Sequence, residues 1–527
     1  MNRRSYALAA VCAVLFLTFL DNTIVSVALA DMQTSLAAGV SSLQWIVDGY
    51  MLAFAGLMLT AGTLGDLYGR RRLLLGGVVL FFAGSLVGAL AVNTNMLIAG
   101  RVVMGVGAAA SEPGTLSLLR HIYPDGRERA RALGVWTAVS GVSLALGPVL
   151  GGILVGAAGW RGIFWFNVVF AAAAFLAAAR FVPESSDPHG RRLDVPGLVT
   201  GAVAITAVTF ATIEGENVGY GTWWIVALFV LAALSVVSFV LIEQRVPDPV
   251  LRLEFFRIPA YSAANVVGFA TSFGLFAVFF FTALYLQIVA GFSGWKIALQ
   301  FLAMAVAIVV GGAVAGRWTG ARGPRLPLTL GCLLAAGSMV GVDALLAPHV
   351  RVGLLALALA GVGFGLGLAL VAVTAAVLGI VPPERSGMAA STVNTSRQLG
   401  GVLAVAVLGS VVNAQILDRL GPQLTKLGVP SLFQDLVIGA VTHGGLPANA
   451  KAAAAANPIA GAHPGLVSQV LKAATADFGH GLHLVLAIAA AMLGVGALVG
   501  ALAGGATRPT RPSAAQPPRA AAPASRS

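Results

Sequence analysis

A few ionisable side chains lie inside long apolar segments of the sequence, where ionisable residues are rare. If these segments span a membrane, such groups are costly, so they face a protein interior or a water-filled cavity and mark paths for ions and polar solutes. A carboxylate can take up and release a proton, and a nearby arginine changes which form is favoured. The residue types therefore point to reversible protonation beside a fixed positive charge. The residues are Asp21, Asp48, Arg101, Glu112 and Arg397.

The composition indicates that these segments do lie in a membrane. Of the 527 residues, 58% are hydrophobic and only 10% are charged, and the mean hydropathy is +0.90. Ordinary soluble domains carry about 25% charged residues, and a spanning helix needs about 20 apolar residues. The sequence therefore predicts an all-α integral membrane protein with fourteen spans. They lie near 6–30, 43–65, 73–92, 96–119, 132–155, 162–182, 197–213, 223–242, 259–286, 297–316, 326–347, 352–380, 387–414 and 481–505.

The positive charges predict the orientation of these spans. With a cytoplasmic N-terminus, 23 of the 32 Lys and Arg residues fall in cytoplasmic segments, seven on the opposite side and two inside helices. This asymmetry is the usual positive-inside bias, so the net charge of +12 reflects topology and not nucleic-acid binding. Asp21 interrupts the first apolar run, so we interpret that run as a retained helix and not a signal peptide. We expect a multi-pass plasma-membrane protein with both termini in the cytoplasm.

Helix geometry gives an approximate depth for each ionisable residue. At 1.5 Å per residue, Asp21 lies about 22 Å from the cytoplasmic start of the first helix. Asp48 and Arg101 reach a similar outer depth, which predicts one charged layer with Asp21. Glu112 lies about 16 Å deeper than Arg101 on the same helix, with no evident cation beside it. The alternatives are an inert Asp21–Arg101 ion pair and a protonated, hydrogen-bonded Glu112.

Polar linkers divide the chain into 6 + 2 + 6 helices. We expect an N-terminal bundle at 1–182, then linkers with two extra spans at 183–258, and a C-terminal bundle at 259–505. The second bundle includes an external segment at 415–480, and 506–527 forms a disordered cytoplasmic tail rich in Pro, Ala and Arg. Two bundles joined in this way are typical of transporters whose substrate site lies at the bundle interface.

Motifs for other chemistries are missing from the sequence. The glycine-rich "GVGFGLG" at 361–367 lies inside an apolar helix with no preceding strand, so it indicates close helix packing and not a nucleotide loop. Cys12 and Cys332 lie in separate spans and predict neither a disulfide nor a metal site. We therefore expect no catalytic residue, no metal and no cofactor, and the chain itself lacks the motifs of an ATP-driven pump.

Six stretches resemble motifs of one known family. "GTLGDLYGRRRLL" (62–74) resembles a loop motif, "LIAGRVVMGVGAA" (97–109) a helix-four motif, "GVWTAVSGVSLALGPVLGG" (134–152) a helix-five antiporter motif and "LDNTIVSVAL" (20–29) a helix-one motif. "WRGIFWFN" and "NTSRQLGG" also fit. Together and in this order, they resemble the major facilitator superfamily and, within it, the fourteen-helix drug:proton antiporter branch. The resemblance covers nearly the whole chain.

The resemblance implies the fold and the way it moves. The fold would be the major facilitator fold, with two six-helix bundles plus two inserted helices, and transport would proceed by alternating access driven by the inward proton gradient. The loop motif would form a cytoplasmic latch through charge-assisted bonds. The glycines of the antiporter motif would let a kinked helix pack closely against the opposite bundle. The gating residues implied are Asp66, Gly69, Arg70, Arg71, Gly147, Pro148, Gly151 and Gly152.

The chain departs from the family pattern at several positions. Ser143 replaces a glycine of the antiporter motif, Met104 replaces the glutamine after the helix-four arginine, and Ala30 replaces the proline that ends helix one. Asp48 and Glu112 stand where uncharged residues are expected. These two carboxylates bear on substrate range and proton stoichiometry more than on the class of transporter.

The predicted function is proton-coupled export of lipophilic, often cationic drugs or antibiotics across the plasma membrane. Asp21, Asp48, Arg101 and Glu112 are the predicted proton-coupling and substrate-binding residues, with Asp21 facing the cavity. The partners are small lipophilic substrates, protons and the lipid bilayer, and a monomer is expected to suffice. The alternatives are export of a dedicated metabolite or lipid and, in another class, a membrane-embedded enzyme that modifies lipids.

Overall fold

A computed structural model describes residues 3–36, 38, 40–186, 194–247, 249–292, 294–346, 350–382, 385–426 and 464–503. The first half of the chain forms seven helices. A short 3-10 turn at Val25–Ala28 follows the first of them. The helices are α1 (Arg3–Ile24), α2 (Leu29–Leu36), α3 (Val40–Tyr68), α4 (Arg70–Ala89), α5 (Thr94–Ile122), α6 (Gly126–Ala158) and α7 (Arg161–Phe181).

The second half of the described chain forms eight helices, with a 3-10 turn at Leu253–Arg257 between the second and the third of them. Two of them make up the inserted pair, and the other six follow that turn. The inserted helices are α8 (Val195–Val218) and α9 (Trp223–Glu243). The last six are α10 (Pro259–Ile288), α11 (Gly294–Arg322), α12 (Arg325–Leu345), α13 (Val352–Ile380), α14 (Ser386–Lys426) and α15 (Pro464–Ala503).

Thirteen described helices are long and apolar enough to cross a membrane, and α6 makes fourteen if its two segments form one span. These segments, Gly126–Leu144 and Val149–Ala158, meet at a bend of 46°. The bend falls at Gly147 and Pro148, where the sequence predicts a kink, since proline removes a backbone donor from a helix. The all-α architecture with fourteen predicted spans is confirmed.

Local sequence explains where several helices begin. Asn93 caps α5 by accepting a hydrogen bond from the Met96 amide at 2.9 Å. Asp125 caps α6 in the same way, and such caps satisfy amides that have no partner within the helix. Gly69 separates α3 from α4 with φ of +110°, and Gly323 separates α11 from α12 with φ of +84°. Glycine adopts these angles without steric cost, so both short Gly/Arg turns reverse the chain between spans.

Glycines also set the helix spacing inside each bundle. A Cβ added at Gly77 of α4 would lie 2.6 Å from the Gly107 oxygen of α5. The equivalent contact in the second half joins Gly331 of α12 to the Gly365 oxygen of α13, also at 2.6 Å. No larger residue fits at these positions without moving a helix. The packing role predicted for the glycine-rich stretch 361–367 is confirmed.

The two bundles meet mainly through α6 and α11, and also through α3 and α5 against α14. A Cβ added at Gly134 of α6 would lie 3.1 Å from the Gly312 oxygen of α11. At the end of the molecule where α3 and α5 finish, the Arg120 guanidinium donates a 2.7 Å hydrogen bond to the Val381 oxygen. The inserted helix α8 packs on both α3 and α14, beside this interface.

The segment predicted as an external loop is partly helical. Helix α14 continues to Lys426, and α15 begins at Pro464. Apolar spacing predicts a helix at 464–478, and α15 includes it. The remainder, 427–463, and the tail from 504 onward lie outside the described residues.

Candidate functional site

Asp21 and Arg101 form an ion pair inside the first bundle. The Arg101 guanidinium of α5 donates to the Asp21 carboxylate of α1, and both side chains are almost completely buried. The Asn167 amide of α7 donates to the other Asp21 oxygen at 2.8 Å, and Arg101 Nε donates to the Ile46 carbonyl at 2.8 Å. The pair thus ties four helices of one bundle together.

An aromatic ring closes this pair on another side. The Arg101 guanidinium carbon lies 4.4 Å from the centre of the Tyr50 ring, a favourable cation–π contact, and the Tyr50 hydroxyl donates to the Thr18 carbonyl at 3.1 Å. Within the described part of the chain, neither Asp21 nor Arg101 has a buried polar atom without a partner. The predicted pair exists, but Asp21 faces the bundle interior, so the expectation that it faces the cavity is wrong for this conformation.

Asp48 lies on α3, two residues after Ile46, whose carbonyl accepts the Arg101 hydrogen bond. Its side chain is half-buried and makes an interaction of its own. Asp48 therefore lies close in sequence to the α3 residue that binds the buried pair, but its side chain is more accessible than that of Asp21.

A cavity lies between the two bundles, and Glu112 forms part of its wall. Glu112 is 2% exposed, and its Oε2 has no hydrogen-bond partner among the described residues. Residues of α1, α5 and α6 face this cavity from one bundle and residues of α10 and α14 from the other. The polar members of the wall are Asn22, Glu112, Ser272, Asn394, Arg397 and Gln398.

Arg397 of α14 is the functional candidate that depth arguments missed. It lines the same cavity as Glu112, and each of the two is the charged group that acts electrostatically on the other. The expectation that Glu112 has no cation near it is therefore wrong, because the cation comes from the opposite bundle. The signal in the sequence is the motif "NTSRQLGG", which contains Arg397 and places a charge inside an apolar run.

An apolar pocket adjoins the polar cavity. The two share Leu144, Leu275 and Phe276 as wall residues, and the apolar pocket continues toward Phe279 and Met304. Aromatic and methionine side chains accept apolar groups of varied shape. The combined space has one charged end and one apolar end, which suits a lipophilic molecule with polar groups at one side.

Asp66 joins the bundles at one end of the molecule. Its carboxylate accepts hydrogen bonds from the Gly387 and Met388 amides at 3.0 and 2.9 Å, at the first turn of α14. The Arg70 guanidinium donates to the same carboxylate at 2.8 Å. A carboxylate is favoured at a helix N-terminus, where the amides lack partners and the helix dipole is positive. Asp66 thus caps a helix of the opposite bundle, which is the geometry predicted for a latch.

The rest of the loop motif binds the end of α7. The Arg70 amide donates to the Ser185 carbonyl at 2.9 Å, and the Arg71 amide donates to the Glu184 carboxylate at 3.0 Å. Gly69 adopts a positive φ directly before these two arginines. The motif therefore fixes the α3–α4 turn to the segment after α7 within its own bundle, while Asp66 and the closely packed Gly62 contact α14 of the other bundle.

The predicted glycines of α6 do not pack as expected. A Cβ at Gly147 would collide with the Thr23 hydroxyl of α1, and one at Gly151 would lie 2.8 Å from the Ile24 carbonyl. Both glycines therefore face their own bundle, since the bend in α6 turns them toward α1. Gly152 is exposed, with no described atom within 4 Å of such a Cβ, and the Pro148 side chain lies outside the described residues.

Other glycines of α6 make the contact with the opposite bundle. A Cβ at Gly141 would lie 2.8 Å from an Ile308 methyl group of α11, next to the contact at Gly134. Both positions lie before the bend, where α6 still runs along α11. The motif thus works on both sides of the helix, with its first glycines at the bundle interface and its last ones inside one bundle.

Phe19 and Phe276 line the charged cavity, and Trp136 lies beside its Arg397. Trp136 of α6 is buried and donates to the Thr115 hydroxyl at 3.0 Å, and the Arg397 guanidinium lies 5.9 Å from its ring centre. Trp45 and Phe164 pack instead against aromatic rings of α8 and of Trp160. Packing therefore accounts for those two rings, whereas Trp136 makes a cation–π contact with Arg397, a wall residue of the cavity.

The described residues contain no cluster of three or more metal-ligating side chains. Cys12 and Cys332 are both buried and free, on helices α1 and α12 of different bundles. The groups available for chemistry in the cavity are accordingly carboxylate, guanidinium, amide and hydroxyl.

Comparison with known proteins agrees with the geometry. The family model of the Major Facilitator Superfamily matches residues 11–405. The chain is 34% identical over 428 residues to the multidrug resistance protein Stp of Mycobacterium tuberculosis, covering 81% of this chain and 79% of the relative. It is 30% identical over 522 residues to the tetracenomycin C resistance and export protein of Streptomyces glaucescens, covering 98% and 94%.

A solved structure gives the same fold at low sequence identity. The proton:xylose symporter XylE superposes with a TM-score of 0.59 at 14% identity, covering 79% of this chain and 90% of that one. Together with the family match over most of the sequence, this makes the chain a multi-pass transport protein and not an enzyme. The chain belongs to the Major Facilitator Superfamily.

Proposed function

We propose that the protein is a proton-coupled antiporter that exports lipophilic drugs or antibiotics by alternating access. The observation that carries the proposal is the cavity between the bundles, with Glu112 contributed by one bundle and Arg397 by the other. A site divided in this way changes geometry when one bundle rocks against the other. Any molecule or proton bound there therefore favours one conformation over another.

The relatives support export more than uptake. Those compared are described as multidrug resistance and as resistance and export proteins, so drug export is the first function to test. Export of one dedicated metabolite or lipid is the second candidate, since a cavity with a defined charge pattern can also serve a single compound. The sequence leads us to expect cationic substrates, but Arg397 adds a positive charge to the cavity. We therefore do not assign a net positive charge to the substrate.

The latch supplies the conformational step. In the present state, Asp66 caps α14 and Arg120 binds Val381, so the bundles are joined at the end of α3 and α5. Opening this end requires both contacts to break. Hydrogen bonds to a charged group contribute about 1.5–3 kcal/mol each. The capping contacts therefore favour the closed state by enough to keep the open state a minor population until the site is occupied.

The two buried carboxylates have different roles in this scheme. Glu112 exchanges its proton against substrate in the cavity, because it is the acid with an unpaired oxygen between the bundles. Asp21 positions Arg101 and holds α1, α5 and α7 as one body. The half-buried Asp48 is the candidate contact for an entering proton or a departing cation.

We assign the protein to the plasma membrane with both termini cytoplasmic, and we expect a monomer to work, since one chain provides both walls of the cavity. Single cysteines at Lys451 and Arg519, two positions outside the described residues, test this topology. In intact cells an impermeant thiol reagent should label the first and not the second. The reverse pattern would overturn the orientation.

The decisive test of function uses purified protein in proteoliposomes with an imposed pH gradient. We expect movement of a labelled lipophilic drug against its own gradient when protons flow the other way, and collapse of this movement when an ionophore abolishes the pH gradient. Drug movement that ignores the pH gradient would contradict proton coupling. No movement of any lipophilic drug, with intact binding of a cellular metabolite, would favour the dedicated exporter.

A further inference from the structure

The charged cavity contains four polar atoms that have no hydrogen-bond partner among the described residues. Two are acceptors and two are donors, and they divide between the bundles. The acceptors, Glu112 Oε2 and Asn22 Oδ1, belong to α5 and α1 of the first bundle. The donors, Arg397 Nε and Asn394 Nδ2, belong to α14 of the second. The cavity therefore has an accepting wall and a donating wall.

Three of these side chains are deeply buried. Glu112 is 2% exposed, Asn394 is 1% exposed and Arg397 is 8% exposed. Leaving a buried donor or acceptor unpaired costs about 1–3 kcal/mol, and more for a charged group. Among the described residues, Arg397 Nη1 donates a long 3.5 Å hydrogen bond to Asn394 Oδ1. The unpaired acceptors on one wall and the unpaired donors on the other thus define the groups that a bound molecule has to supply.

We propose that the site takes amphoteric lipophilic molecules, which carry a cationic or donor group and an anionic or acceptor group a short distance apart. The cationic group faces Glu112 and Asn22, and the anionic group faces Arg397 and Asn394. The apolar part of the molecule occupies the adjoining pocket beyond Leu275 and Phe276. This inference names the substrate class of the proposed transport site, so it rests on the proposed function.

Charge balance favours such molecules over simple cations. A monocation pairs with Glu112 but leaves Arg397 buried beside an added positive charge, and a monoanion does the same to Glu112. Removing the partner of a buried charge is strongly unfavourable, whereas a molecule with both charges satisfies both walls. Such a molecule also bridges the bundles, because each of its polar ends binds a helix of a different bundle.

The test measures binding to purified full-length protein without any pH gradient. The probes are norfloxacin, which has a carboxylate and a piperazinium group, its methyl ester, which lacks the anion, and its N-acetyl derivative, which lacks the cation. All three keep the same ring system. We expect norfloxacin to bind about tenfold more tightly than either derivative, since each lacks one charge-assisted contact. Equal affinities, or tighter binding of the ester, would overturn the proposal.

Two variants locate the two walls. Glu112→Gln should remove the advantage of norfloxacin over the N-acetyl derivative, and Arg397→Gln should remove its advantage over the ester. Arg397→Lys should keep part of the second advantage, because it keeps the charge. Arg72→Gln, which removes a charge at an exposed residue outside the cavity, is the control and should leave the ranking unchanged. Equal weakening of all three probes by both variants would contradict the assignment of the walls.

Binding and transport can fail separately. If a pH gradient drives export of a lipophilic cation but norfloxacin binds no better than its derivatives, the amphoteric site is wrong and the proposed antiport stands. If the ranking holds but no gradient drives export, the binding site stands and the antiport is wrong. A thermal unfolding curve of each purified variant verifies that it is folded. The binding of a variant is compared only when its curve matches that of the wild-type protein.

Discussion

Two buried carboxylates of the same bundle have opposite surroundings. Asp21 is bound by Arg101 and Asn167, which belong to helices of its own bundle. Glu112 faces a cavity whose cation, Arg397, belongs to the other bundle, and one of its oxygens has no partner among the described residues. In the proposed mechanism the partners of Asp21 move with it, whereas Arg397 does not move with Glu112. Burial alone therefore does not identify the group proposed to respond to transport, whereas the location of its partners does.

Asp66 is an intermediate case. It is fully bonded, like Asp21, but two of its donors are amides of α14 in the opposite bundle. Under the proposed alternating access, its bonds to α14 have to break and re-form in each transport cycle. In the proposed mechanism the three carboxylates act as a fixed pair, a conformational latch and an exchange site.

The largest effect is expected from Arg101→Ala. The substitution leaves Asp21 buried without its cation, and removing one partner of a buried ion pair costs about 3–5 kcal/mol. We predict a clear fall in the unfolding temperature of the purified protein and loss of gradient-driven export, even in molecules that are correctly inserted.

A second substitution separates the effect of the unpaired Asp21 charge from the effect of the lost Arg101 side chain. Adding Asp21→Asn to Arg101→Ala removes the unpaired charge and keeps an amide beside Asn167, so part of the stability should return. Full export by Arg101→Ala alone would show that the fixed pair is only a packing contact.

Asp66→Asn should have the next largest effect. It weakens the contacts to Arg70 and to the first turn of α14 but lies away from the cavity. Turnover in proteoliposomes should fall about tenfold, in line with the loss of charge-assisted hydrogen bonds, with little change in substrate affinity. Arg72→Ala is the matched control, because Arg72 is exposed and its 3.7 Å pair with Glu184 is of the kind that contributes little. Loss of binding with turnover preserved would contradict the latch.

Glu112→Gln should act selectively on charged substrates. Export of tetraphenylphosphonium should fall about tenfold more than export of the neutral triphenylphosphine oxide, because the cation also loses its countercharge. Gradient-driven uptake into inverted vesicles measures both. An equal loss for both compounds would indicate that the variant disturbs the fold and not the charge.

The smallest effect compares two glycines of α6. Gly134→Ala places a methyl group 3.1 Å from the Gly312 oxygen across the bundle interface, and such overpacking costs on the order of 1 kcal/mol. Export should fall a few-fold. Gly152→Ala meets no described atom within 4 Å and should leave export rates unchanged. Greater sensitivity at Gly152 would show that the outer half of α6 contacts a partner in another state.

Much of the fold follows from the sequence, because bilayer thickness dictates the length of apolar runs and Gly/Arg turns punctuate them. The partnership of Asp21 with Arg101 follows from helix depth in the same way. Depth is a one-dimensional measure, however, and it cannot say which face of a helix a residue occupies. For this reason it could not show that Asp21 faces the bundle interior and not the cavity.

The tertiary arrangement explains the remaining errors. Arg397 lines the same cavity as Glu112, 285 positions away in the chain, because α14 packs on α5. Gly147 faces α1 because a 46° bend redirects the second half of α6. Neither the angle of a bend nor the docking of two bundles is encoded in local periodicity.

Proton release on substrate binding tests the central claim most directly. Purified wild-type protein in weak buffer is titrated with tetraphenylphosphonium, which has no proton of its own, across a pH series that starts where Glu112 is protonated. We predict that wild type and Asp21→Asn release protons on binding and that Glu112→Gln does not. Undiminished release from Glu112→Gln, with release lost in Asp21→Asn, would contradict the account and assign the exchange to the buried pair.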